Sequence, residues 1–122
     1  MREAKPAMAM PGEEQAAVAA ETFRLLADPT RIKLLWALFQ GEAAVSELAE
    51  LAEVSPTSVS QHLAKLRLAG LVRGRRAGTY IYYRAADTHV LALLTEALSH
   101  VEHIEADLGE ESEHEHPLKH RP

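Results

Sequence analysis

The sequence predicts a mainly α-helical domain with one small β-hairpin. Three observations predict it: cap-plus-proline helix starts at Asp28-Pro29 and Ser55-Pro56, a Gly-containing basic turn between two β-prone stretches, and a closing segment, residues 88–108, free of Gly and Pro. With 122 residues and 47% apolar content, the chain can fill one core if little of it is spent in tails.

In order, Met1 to about Glu13, with Pro6 and Pro11, reads as a mobile arm (residues 1–13). A first helix is expected from about Glu14 to Leu26, with Val18, Phe23 and Leu26 turned inward. Asp28 caps a second helix, Pro29 sits at its first position, and the helix runs to Gln40 before Gly41 closes it. Ile32, Leu35, Trp36 and Phe39 fall at helical spacing on it; Trp36 and the three tyrosines read as packing residues. Val45 to Ala52 forms a short third helix.

Ser55 then caps a fourth helix, Pro56 to Ala69, ended by Gly70. Val59, Leu63, Leu66 and Leu68 are expected inward on it. Thr57, Ser58, Ser60, Gln61, His62, Lys65 and Arg67 are mostly left outside. Leu71 to Arg73 and Thr79 to Arg84 flank the break GRRAG at residues 74–78, an antiparallel hairpin with Arg75 and Arg76 expected at its tip. The long helix follows, and residues 109–122, polar, acidic and His-bearing, read as a disordered tail. Two helices joined by a short turn, the second capped and polar on one side, then a basic hairpin: residues 14–108 make a winged helix-turn-helix.

Composition narrows the chemistry. There is no cysteine, so disulfides, thiolate nucleophiles and thiolate metal sites are excluded. No secretory pattern and no apolar run of membrane-spanning length is present, which leads us to expect a cytoplasmic protein with no membrane partner. No nucleophile, acid–base pair or cofactor loop suggests an enzyme. The net charge of −5 averages two unlike halves. Residues 1–86 hold 11 Lys/Arg against 9 Asp/Glu, and residues 87–122 hold 2 against 9. Between Glu53 and Asp87 lie Lys65, Arg67, Arg73, Arg75, Arg76 and Arg84 and no acid. A one-signed basic block inside an acidic protein is the footprint of a polyanion. On the fourth helix, Ser, Thr and Gln can reach base edges or phosphates, and Arg75 and Arg76 can reach backbone phosphate or the minor groove.

The long helix carries the second chemistry. His89 and His100 are eleven residues apart, roughly 20° past three full turns, so they share a face about 16 Å apart along the axis. His100 and His103, at i and i+3, point the same way, and Asp87 stands at the helix start near His89. One helix cannot bring both pairs to a single ion; two copies packed antiparallel can. The geometry predicts two metal sites across a homodimer interface, unless these histidines are simply solvated residues of an amphipathic helix. With no thiolate, the donors are imidazole and carboxylate.

Several stretches resemble the ArsR/SmtB family of bacterial metal-sensing repressors. These are Leu26-Ala27-Asp28-Pro29-Thr30-Arg31, Ser58-Val59-Ser60-Gln61-His62-Leu63, Ala69-Gly70-Leu71-Val72, and the wing from Arg75 to Tyr83. The resemblance covers residues 15 to 108. It implies a homodimer that binds a two-fold symmetric operator and releases it on metal binding. It also implies that Asp87, His89, His100 and His103 form the family's zinc-type site at the dimer interface. The family's cysteine motif near the third helix is replaced by Val45-Ser46-Glu47-Leu48. Four N/O donors suit Zn²⁺, with Co²⁺ an easy substitute. The alternative is a nickel or cobalt sensor, for which His114, His116 and His120 would supply further ligands, although Glu105 stands where another histidine would strengthen that reading. A winged-helix DNA-binding protein with no metal sensing is the other alternative.

Overall fold

A computed structural model describes residues 9–111. The order is α1 (Glu13–Leu26), α2 (Pro29–Gln40), β1 (Ala43–Ala44), α3 (Val45–Ala52), α4 (Pro56–Leu68), β2 (Val72–Ala77), β3 (Tyr80–Ala85) and α5 (Thr88–Glu111). This is a winged helix-turn-helix, with α3 and α4 as the helix pair and β2–β3 as the wing. Most of the expected arm and tail lies outside the described residues. Within them, α5 passes through Gly109 and ends three residues later than 108.

The helix starts follow from their caps. Asp28 Oδ1 accepts the Arg31 backbone N–H at 3.0 Å, and Ser55 Oγ accepts that of Ser58 at 3.1 Å. Each satisfies one of the N–H groups that a helix start leaves unpaired, and the proline behind each cap removes another. Between α3 and α4 the chain turns through Glu53, which adopts a left-handed backbone (φ 59), while the Val54 N–H returns to Ala49 O at 3.1 Å. After α4, Gly70 takes φ +81 and the Leu71 N–H closes onto Leu66 O at 2.9 Å. That left-handed stop favours a residue without a Cβ.

The core is leucine-rich and sits where α2, α3 and α4 meet the base of the wing. Leu34, Leu35, Leu48, Leu63, Leu66, Val59 and Val72 are almost wholly buried. Burying each such side chain contributes about 1.5–3 kcal/mol. Val90 and Leu94 join them, which pins the first turns of α5 to α2.

Several sequence expectations need correction. Val18 and Phe23 are 60% and 59% exposed, so of the three α1 positions only Leu26 is buried. Among the described residues, nothing covers Val18 and Phe23 of α1. Leu68 is 92% exposed, because α4 ends there and its inward face is already spent at Leu66. Trp36 is 38% exposed; α2 is apolar nearly all round, and the core takes Leu34, Leu35 and Leu38 instead. The wing is longer than expected. Arg75 pairs with Tyr82 and Arg76 with Ile81, so both arginines are strand residues, and the turn is formed by Gly78 (φ +66) and Thr79. A third strand, β1, pairs with β3 through Ala43–Tyr83 and Ala44–Tyr82, giving the order β1-β3-β2.

Candidate nucleic-acid and metal-binding surfaces

On α4 the division into two faces follows from helical spacing. Val59, Leu63 and Leu66 are buried, while Thr57, Ser60, Gln61, Lys65 and Arg67 are exposed and Ser58 and His62 are half-buried. The N-terminal half therefore presents small hydroxyls and an amide, and the C-terminal half two cations. Hydroxyls and amides can read base edges, and cations can sit on phosphates.

His62 is held from behind. Arg31 Nε donates to His62 Nδ1 at 3.0 Å, and Arg31 Nη1 donates to Leu25 O at 2.9 Å. One guanidinium thus ties the end of α1, the start of α2 and the middle of α4 together. The Arg31 backbone N–H beside Asp28 holds that carboxyl below its usual pKa, against the opposing effect of desolvation.

The wing's arginines lie on opposite faces of the hairpin, because successive strand residues alternate. Arg75 lies over the Tyr82 ring, 5.3 Å from its centroid. Its Nε is 3.1 and 3.0 Å from the two Glu42 carboxylate oxygens, and its Nη2 is 2.9 Å from Oε1. This fork pushes the Glu42 carboxyl below, and the Arg75 guanidinium above, their ordinary values. Arg76 shares its face with Gly74, Ile81 and Tyr83, and these line a cavity of about 200 Å³ together with Arg67 of α4. Arg76 is thus the wing arginine on the α4 side, and Arg75 is already engaged by an acid.

Neither Arg31 nor Glu42 stands out in the sequence. For Arg31 a signal exists: a cation in the first turn of a helix opposes the helix dipole and calls for a partner elsewhere. Glu42 carries no comparable mark.

On α5, Asp87 Oδ1 accepts the backbone N–H groups of His89 (2.8 Å) and Val90 (3.4 Å). One carboxylate oxygen therefore caps the helix rather than facing the His89 ring, which leaves Oδ2 for other partners. His89, His100 and His103 are exposed along the same helix. Among the described residues of one chain, no three His, Asp or Glu side chains come together. Leu93, Leu98, Val101 and Ile104 are also 38–45% exposed on α5. Among the described residues no helix is long and apolar enough to cross a membrane.

Residues 28–73, from α2 to the first strand of the wing, match the family described as bacterial regulatory protein, arsR family. The chain is 50% identical over 91 residues to the HTH-type transcriptional regulator KmtR of Mycobacterium tuberculosis, covering 75% of this chain and 70% of that one. It is 43% identical over 89 residues to the transcriptional repressor SmtB homolog of Synechocystis, covering 73% and 67%. Its fold is similar to the crystal structure of the AntR antimony-specific transcriptional repressor, with a TM-score of 0.77 and 30% identity over 87% of this chain and 96% of that one. These are DNA-binding regulators rather than enzymes, and the segment matching the family, residues 28–73, includes the helix pair. The chain belongs to the ArsR/SmtB family of transcriptional regulators.

Proposed function

We propose that the protein is a homodimeric, metal-responsive repressor that binds operator DNA through α4 and the wing and releases it when metal binds on α5. The observation that carries the metal reading is the spacing of Asp87/His89 and His100/His103, about three turns apart along α5, a helix that also exposes apolar residues. Residues 28–73 do not include α5, so the metal reading rests on this chain's own residues. The dimer surface is formed by α1, through Val18 and Phe23, and α5, through Leu93, Leu98, Val101 and Ile104. Antiparallel packing of two α5 helices sets Asp87 and His89 of one chain against His100 and His103 of the other.

That donor set fits Zn²⁺, which takes imidazole and carboxylate in tetrahedral four-coordination. It does not fit a thiophilic ion such as the antimony for which the AntR repressor is specific, since no cysteine is present. Fixing both ends of the paired α5 helices selects one inter-subunit arrangement. Where that arrangement mismatches the groove spacing, metal and operator weaken each other reciprocally, typically by 5- to 150-fold (about 1–3 kcal/mol).

On the DNA side, Thr57, Ser58, Ser60, Gln61 and His62 face the groove and its edges, and Lys65, Arg67, Arg75 and Arg76 supply the phosphate contacts. Arg76 carries more of the wing's share than Arg75, which Glu42 holds.

The second reading is a nickel or cobalt sensor of higher coordination number. It is favoured by the further histidines that follow His100 and His103 in the sequence, His114, His116 and His120, and opposed by Glu105 standing where another histidine would strengthen it. Titration of the purified dimer with Zn²⁺ and Co²⁺, followed by absorption spectroscopy and operator binding, tests both. Two zinc ions per dimer, an intense tetrahedral Co²⁺ spectrum and loss of both sites in His100→Ala are expected. A weak six-coordinate spectrum that vanishes when residues 112–122 are deleted would move the assignment to nickel or cobalt. Unchanged zinc affinity after replacing both His100 and His103 would leave a DNA-binding dimer without metal sensing.

A further inference from the structure

The Arg31–His62 hydrogen bond does more than fasten α4 to α2. Arginine Nε–H can only donate, so His62 Nδ1 is an acceptor and carries no proton. In the neutral ring the proton is then on Nε2. Without Arg31 the two tautomers would interchange freely; with it, one is selected. His62 is half-buried, and its exposed side lines a shallow cavity of about 370 Å³ with Arg31, Gln61, Ala64 and Lys65. Every polar side chain of that lining can donate a hydrogen bond: an imidazole N–H, a carboxamide, an ammonium and a guanidinium whose Nε and Nη1 are already spent on His62 and Leu25. The acid that faces this group is Asp28, and its Oδ1 is committed to the Arg31 backbone N–H at 3.0 Å. A concave group of donors with two cations, beside a groove-reading helix, is built for one phosphodiester oxygen pair.

We propose that Arg31 is a positioning residue for DNA binding. It locks His62 as the Nε2–H tautomer and completes, with His62, Gln61 and Lys65, a seat for one backbone phosphate of the operator. The inference rests on the assignment of α4 as the DNA-reading helix. It adds a contact from the start of α2, outside both α4 and the wing. The seat would fix how deeply α4 sits in the groove, since a phosphate held at its side sets the rotation of the helix about its own axis.

The test uses the full-length protein, a labelled operator duplex and a random duplex across a range of salt. Arg31→Lys keeps the charge but loses the Nε–H bond. It should weaken binding to both duplexes about tenfold, the scale of one hydrogen bond to a charged group, with the salt slope unchanged. Arg31→Gln should weaken both further and lower the slope by about one. His62→Gln, whose amide nitrogen stands near the Nε2 position, should recover much of the affinity that His62→Ala loses. Ring nitrogen NMR supplies the readout that a merely structural role would not move. The wild type should show a pure Nε2–H tautomer for His62, and Arg31→Lys a mixture. Operator should shift these resonances in the wild type, and inorganic phosphate alone should not.

A tautomer unchanged in Arg31→Lys, or a salt slope unchanged in Arg31→Gln, would overturn the proposal. Ser60→Ala serves as the separate control, because Ser60 lies outside the seat. If Ser60→Ala alters operator preference while the Arg31 and His62 variants bind as the wild type does, the seat is wrong and the reading helix stands. If Ser60→Ala also changes nothing, the assignment of α4 itself fails.

Discussion

Asp28 shows how much one side chain can do at a helix start. Its carboxylate caps α2 through the Arg31 N–H, and losing a cap of this kind costs about 1 kcal/mol. Because the folded-state pKa lies below the ordinary 3.8, the stabilisation is complete above that value and fades as pH falls through the lowered one. In chemical denaturation, Asp28→Ala should therefore lower the midpoint by a constant amount from pH 7 to about 4, and the gap should close below that. A gap that widened in acid would contradict the sign. Arg75 and Arg76 make a second pair of expectations. Arg76→Ala should weaken operator binding more than Arg75→Ala, since Arg75 is already ion-paired. Glu42→Gln should release Arg75 and steepen the salt dependence of binding by about one. Equal effects of the two alanine variants would mean that DNA draws Arg75 away from Glu42. The caps at Asp28 and Ser55 are legible in the sequence because capping is local. The partners of Arg31 and Arg75 are not, because they are 31 and 33 residues distant and are set by tertiary packing.

At the scale of elements, the five helices are legible, and the wing is legible in kind but not in register. Helix periodicity and caps act within a few residues, whereas strand pairing depends on which residues face each other across the hairpin. Gly74 to Gly78 reads as one loose turn, but only Gly78 turns; Gly74 lies within β2 opposite Tyr83. A Cβ there would come within 3.2 Å of both Ile81 and Tyr83, so it marks a close side-chain approach rather than a bend. Gly78 has open space but a left-handed backbone. Gly78→Ala should accordingly cost about 1 kcal/mol, seen as a melting temperature lower by roughly 4–8 °C. Gly74→Ala should instead disturb the wing face carrying Ile81 and Tyr83. The faces of α1 are not legible for a related reason: Val18 and Phe23 have the periodicity of core residues but join no core among the described residues.

For the whole molecule, the exposed faces of α1 and α5 lead to an expectation about assembly. Lysine at Val101 and Ile104 together should give a folded monomer by sedimentation velocity, because neither side chain is buried in the core of the single chain. Operator binding by that variant should become weak and strongly dependent on protein concentration, and zinc stoichiometry should collapse if each site draws ligands from two chains. A variant that stayed dimeric with both substitutions would place the interface elsewhere. The helical spacing of the four proposed ligand positions is legible in the sequence. Their proposed convergence is not, because it would require a second chain.

The attachment of α5 has a mechanical consequence. Val90 and Leu94 fasten its first turns to the core, and the remaining helix to Glu111 runs on from that anchorage. From Leu94 to the end is about 25 Å, so the helix forms a lever arm extending from that anchorage. A tilt of only about 10° at the anchorage sweeps the far end through roughly 4 Å. Run in reverse, the same lever converts a small displacement near His100 and His103 into a rotation of the body that carries α4. In the proposed dimer two recognition helices would meet grooves about 34 Å apart, and a rotation of either body would change their spacing.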